Sequence, residues 1–289
     1  MGALRAESCL CQARRRPEPR FCRLRATYRV IMLIFTTKAR LEANMPWLFT
    51  LFLGVHVGCG TVALLAFWGA VLTRKGGPDH LYWGRVFTWA IYGAAAMALG
   101  MGALSVRWPL AMHPGLTDAA LYRGLLGWMM LYLGVLVFGM TRYGRQMVAN
   151  RRDHAKNRRW PMIALQLLVL ALGANCLALG LWLRQPLMIL VSVIGFGTTL
   201  TYLWYLFRPT PPSPRAYVAE HLKAMVATGI AAYTAFLSVG LIRLFPAHAF
   251  NPVIWAVPTV VGVALIGYFL RREDRGHARV TTPATIPAE

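Results

Sequence analysis

The feature that most limits what this chain can become is a run of 28 residues, Pro46–Thr73 (PWLFTLFLGVHVGCGTVALLAFWGAVLT), without a formal charge. As a helix, a run of that length crosses the roughly 30 Å hydrocarbon core of a bilayer, and it is too apolar for the surface of a soluble domain. Six further apolar runs follow at short intervals, over about 83–106, 119–141, 161–183, 186–207, 213–245 and 252–270. Backbone amides cannot stay unpaired in lipid, so such runs must be helices packed side by side. The expectation is an all-α, polytopic transmembrane bundle of about seven spans occupying residues 45–270. Its boundaries carry matching end signals. Pro161 and Pro186 stand at first-turn positions, Thr117-Asp118 offers a cap, and Ser213-Pro214 and Asn251-Pro252 open the last two runs. Pro258 should kink the seventh.

Composition bears this out and narrows the partners. Ten acidic residues in 289, with 14% charged overall, fall well short of the roughly one-quarter found in soluble domains. The net charge of +21 would raise nucleic acid as a partner, but the basic residues sit in the loops between apolar runs. The lipid bilayer is therefore the expected partner, with homo- or hetero-oligomers in the membrane and no nucleic acid. The loops after spans one, three and five and the C-terminal tail hold 17 Lys and Arg, against 4 on the other side. The positive-inside rule then places the N-terminus outside and the C-terminus in the cytoplasm of a bacterial inner membrane. Residues 1–44 break the pattern, with ten more basic residues on the outer side. Their short apolar stretch Val30–Phe35 is below signal-peptide length. This basic leader is expected to precede the native start, at Met45. Residues 271–289 read as a disordered cytoplasmic tail.

Few motifs carry chemistry. The five cysteines (Cys9, Cys11 and Cys22 in the leader, Cys59 and Cys176 in spans) make no paired CxxC set. No P-loop, GxSxG, HExxH or EF-hand pattern occurs, which leaves ATPase, hydrolase and calcium-sensor readings without support. The seven histidines are more informative. His154 and His277 fall in basic cytoplasmic segments as solvated residues, and His113 and His248 in outer loops. His56 lies ten residues into span one, where a polar ring needs a partner or a wet cavity. His80 and His221 stand near the cytoplasmic starts of spans two and six, each after a carboxylate (Asp79, Glu220) and twelve residues before a tyrosine (Tyr92, Tyr233). The recurrence reads as a faint internal repeat.

Two histidines on different spans are what a b-type haem needs, one ring approaching each face of the iron. Histidines with a carboxylate are equally a donor set for a divalent metal such as zinc. His80 and His221 are thus candidate haem or metal ligands, with His56 a third cofactor-binding candidate some 15–20 Å away along straight helices. Tyr233-Thr234 is a candidate polar path.

Four stretches, HVGCGTVALLAFWGAVLTRKGGPDH (56–80), GRVFTWA (84–90), EHLKAMVATGIAAYTAFL (220–237) and IWAVPTVVG (254–262), resemble an uncharacterised family of predicted bacterial multi-pass membrane proteins. The matched positions are His56, Lys75, Gly76, His80, Gly84, His221, Tyr233, Thr234, Phe236 and Pro258. Leu81-Tyr82-Trp83 departs from the basic character the family shows there. The resemblance implies the multi-pass architecture and names no reaction. Three classes of function stand: a histidine-ligated haem or metal protein of membrane redox chemistry, a small-solute transporter, or a non-catalytic membrane scaffold subunit.

Overall fold

A computed structural model describes the backbone of residues 19–113, 115–237 and 252–281, and the side chains of 46–113, 115–237 and 257–272. The chain divides into two compact units, Met1–Pro46 and Trp47–Glu289. The described residues are helical, with no strand among them. Helix α1 covers Pro19–Leu72 and α2 Pro78–Arg107. Two four-residue helices follow, α3 (Pro109–Met112) and α4 (Ala119–Tyr122). A wide π-helical turn, Arg123–Trp128, leads into α5 (Met129–Ala149), and a 3₁₀ turn, His154–Arg158, precedes α6 (Trp160–Trp182). The remaining helices are α7 (Pro186–Phe207), α8 (Ala216–Ala235) and α9 (Pro252–Thr281).

Among the described residues, five helical stretches are long and apolar enough to cross a membrane: Pro46–Leu72, Pro78–Arg107, Ala119–Ala149, Trp160–Trp182 and Pro186–Phe207. This architecture is compatible with a multi-pass membrane protein. The two other expected runs coincide with α8 and α9. Helix α8 spends its first two turns on Glu220, His221 and Lys223, and the segment that would extend it, 238–251, lies outside the described residues, as does His248.

Helix ends follow local chemistry more closely than hydropathy does. Helix α2 starts five residues before its apolar run, with Pro78 in the first turn and exposed Asp79 facing the positive end of the helix dipole. Asp118 caps α4 as expected, its side chain accepting from Leu121 N–H at 2.9 Å. Helix α8 does not open on Ser213-Pro214. Those residues form a turn in which Ser213 C=O accepts from Ala216 N–H at 3.1 Å, and Arg215 precedes the first helical residue.

The core centres on α5. Tyr132, Leu136, Met140, Tyr143 and Met147 bury against Met162, Val169 and Cys176 of α6, Met188, Tyr202 and Tyr205 of α7, and Ala224 of α8. A second cluster joins Ala63, Ala66 and Phe67 of α1 to Phe87, Ala90 and Ile91 of α2, with Tyr233 of α8 against it. Glycines set the closest approaches. A Cβ on Gly229 would stand 2.3 Å from Phe67, and one on Gly127 would stand 2.9 Å from the backbone nitrogen of Val106. Small residues at such contacts let apolar helices gain dispersion energy where lipid offers no hydrophobic drive. The wide turn holds buried Gly124 and Gly127, and Arg123 Nε at its start donates to Val106 C=O at 3.0 Å, closing the end of α2.

Candidate histidine pair and buried carboxylate

Each of the three span histidines makes the same contact. His80, in the first turn of α2, has Nδ1 at 2.9 Å from Ala70 C=O near the end of α1. His221 on α8 has Nδ1 at 2.9 Å from Gly144 C=O on α5. His56 on α1 has Nδ1 at 2.8 Å from Ala94 C=O on α2. A carbonyl oxygen only accepts, so Nδ1 must carry the proton, and in the neutral ring the lone pair sits on Nε2. That is the tautomer with which a histidine binds a metal while its other nitrogen is held by an outer partner.

Helices α5 and α8 come close enough for the His221 contact because Gly144 lacks a side chain: a Cβ there would stand 3.0 Å from Ala224 Cβ. Tyr233 of α8 meets Leu64 of α1 and Gly229 meets Phe67, so α8 runs antiparallel to α1 and carries His221 toward the end of α1 that holds His80. His56 stands apart. The carbonyl that holds His80 belongs to Ala70, fourteen residues beyond His56 on the same helix, or roughly 21 Å at 1.5 Å per residue. His80 and His221 are thus the two held toward the same end of α1, and His56 is not.

Around His80 the field is positive. The Ala70 carbonyl also accepts from Lys75 Nζ at 3.2 Å, and the ammonium lies 4.5 Å from the centre of the Phe269 ring. Burial pushes the Lys75 ammonium below its usual range, and the neighbouring Arg272 charge adds to this.

The carboxylates next to the histidines in sequence serve other roles. Glu220, buried, accepts from Tyr143 O–H at 2.7 Å and pairs with Lys223 at 2.5 Å. Tyr143 stacks on Tyr202 with ring centres 4.0 Å apart, and the Tyr202 hydroxyl is buried with no hydrogen-bond partner among the described residues. Nothing in the sequence singles out this cluster beyond the rarity of an acid near an apolar run, because its tyrosines come from α5 and α7. His154 also differs from expectation. It is not a solvated loop residue: its ring meets Tyr205 edge-on at 5.0 Å, its Nε2 lies 3.2 Å from Arg208 C=O, and its Nδ1 is buried and unpaired.

The expected polar path is tied up in helix packing. Tyr233 O–H donates to Leu64 C=O on α1 at 2.8 Å, and its ring meets Phe67 at 6.0 Å; Thr234 is the next residue on α8. Among the described residues, the unpaired buried polar atoms inside long helices lie instead on α6 and α7, at Asn175 Nδ2, Thr199 Oγ1 and Tyr202 O–H. Among the described residues no group of three or more His, Cys, Asp and Glu side chains converges to hold a metal ion. Cys59 and Cys176 are free thiols. No family model, curated protein or solved structure matches the chain.

Proposed function

We propose that this is a seven-span protein of a bacterial inner membrane, N-terminus outside and C-terminus in the cytoplasm, in which His80 and His221 are the axial pair of a b-type haem serving membrane redox chemistry. One observation carries the reading: two imidazoles on different helices each have Nδ1 held by a backbone carbonyl, which in the neutral ring leaves the Nε2 lone pair for a ligand. Zinc asks for three or four protein ligands, whereas a porphyrin fills four positions of its iron and leaves two to the protein. A pair of histidines answers the second demand and falls short of the first.

When bound, haem supplies one-electron transfer. The chain's own residues orient and tune. The Ala70 and Gly144 carbonyls fix both rings and raise the basicity of Nε2. Lys75, anchored on the same carbonyl as His80, would offer a cation to a haem propionate. The orientation rests on the 17-to-4 split of basic residues, and the span count on α8 and α9 coinciding with the last two apolar runs.

The test is an absorption spectrum of the detergent-purified full chain, air-oxidised and dithionite-reduced, after expression with ample haem and iron. A Soret band with a sharpened reduced α-band is expected. It should be lost in His80→Ala and His221→Ala and kept in His56→Ala. A colourless wild-type protein overturns the reading.

A second reading, a small-solute transporter coupled to protons, is favoured by Glu220, a buried acid held by a tyrosine and a lysine on helices that face one another. It predicts solute flux into liposomes that Glu220→Gln abolishes while the protein still folds. Flux indifferent to that substitution removes it.

A further inference from the structure

Away from the histidines, α1 and α2 leave an open groove of about 860 Å³ on the wall of the bundle, a volume typical of small-molecule sites. The two helices run antiparallel, with Phe52 against Gly100, Cys59 against Gly93 and Trp83 against Gly69. The groove thus extends from Arg85 and Tyr82, near the α1–α2 turn, to Val55. From the level of Gly69 to Val55 is fourteen residues of α1, roughly 20 Å, the reach of an extended acyl chain.

Its chemistry is divided by position. The walls are Val55, Val62, Val86 and the largely exposed Trp89, and the floor is Gly58, where a Cβ would meet no atom within 4 Å. The one charged lining residue is Arg85, at the end near the turn. Its Nε donates to Leu81 C=O at 3.3 Å, and among the described residues no carboxylate pairs with it. A cation on a lipid-facing helix calls for a counter-anion, and the guanidinium fork matches phosphate oxygens. Exposed Tyr82 beside it is the residue type that sits at headgroup level.

We propose that this groove binds one anionic phospholipid of the leaflet that holds the α1–α2 turn, its phosphate on Arg85 and an acyl chain laid over Gly58 between the valines. The site is independent of the histidine pair.

Native mass spectrometry of the full chain, titrated with phosphatidylglycerol or phosphatidylethanolamine, tests it. The wild type should retain phosphatidylglycerol with about tenfold preference, because both lipids offer the phosphate but only phosphatidylethanolamine brings a second cation beside Arg85. Arg85→Gln should bring the two lipids to near parity. Arg74→Gln, in the same turn but outside the groove, should leave the preference intact. Gly58→Leu adds a side chain where a Cβ would meet no atom within 4 Å, occupies the groove and should reduce retention of both lipids. Undiminished preference in Arg85→Gln, or equal loss in Arg74→Gln, overturns the headgroup assignment. Full retention in Gly58→Leu overturns the acyl placement. A lipid-free dimer that Gly58→Leu dissociates overturns the proposal outright, because a second copy then fills the groove.

Discussion

Replacing Gly195 with alanine should cost this fold more than any ordinary glycine-to-alanine change in a helix. The new Cβ would stand 1.7 Å from the Tyr132 hydroxyl, 2.9 Å from its Cζ and 3.3 Å from Leu136. Tyr132 has nowhere to go. It is 1% exposed, its ring edge also lies 3.2 Å from where a Cβ on Gly173 would sit, and its hydroxyl donates to Val191 C=O at 3.3 Å. Overpacking a tight core costs about 1–3 kcal/mol, and breaking the hydrogen bond adds about 0.5–1.5 kcal/mol. The expected total is about 2–4 kcal/mol, or a fall in Tm on the order of 5–15 °C for a domain of this size. Circular dichroism of the detergent-solubilised protein, followed on heating, reads it. Gly197→Ala, with nothing within 4 Å of its Cβ, is the matched control and should be neutral or slightly stabilising. Tyr132→Phe should restore part of the Gly195→Ala loss by removing the closest atom. If Gly195→Ala melts with Gly197→Ala, the packing argument is wrong.

Three more outcomes are expected. Burial holds the half-buried His113 imidazole, beside Ser105 Oγ at 3.2 Å and the Phe49 ring at 5.0 Å, below its usual range. The unfolded chain then binds more protons, so this contribution is complete above about pH 6.5 and is lost as pH falls toward the depressed folded value. His113→Gln should flatten the acid side of a Tm-versus-pH curve, and an unchanged slope counts against it. Asp118→Ala removes the α4 cap and should cost about 1 kcal/mol by thermal melt, with Asp118→Asn retaining most of the stability. Tyr143→Phe deprives the buried Glu220 carboxylate of a donor and should cost about 1.5–3 kcal/mol; a melt equal to wild type would show that another donor takes its place.

What could be read from the sequence follows from how far apart interacting residues lie. Apolar length is local, so the runs at 46–73 and 186–207 reappear as helices long and apolar enough to cross a membrane, and Asp118 caps a helix as its spacing predicts. The start of α8 was misplaced because Ser213-Pro214 is an equally good turn, and only the fold decides between them. At the site, pattern identified His80 and His221 but not what orients them. The Gly144 carbonyl is 77 residues from His221, and no periodicity connects the two. Glu220 was visible as a neighbour of His221, but a helix turns successive side chains about 100° apart. Its tyrosines come from α5 and α7. Tyr233 read as a path residue because its acceptor, Leu64 C=O, is 169 residues away and is a backbone atom that no side-chain motif records.

The wide turn at Arg123–Trp128 has a consequence for chain length. In an α-helix, deleting one residue rotates everything beyond it by about 100°, which on α5 would swing Tyr132, Tyr143 and Gly144 off their neighbours. A π-helical turn already holds one residue more than an α-turn needs. Removing a residue there would tighten it to an ordinary turn and leave the phase of both flanks as it was. That turn is thus the one place in this span where the chain can be shortened by a residue without losing register, and the same deletion two turns later cannot be absorbed.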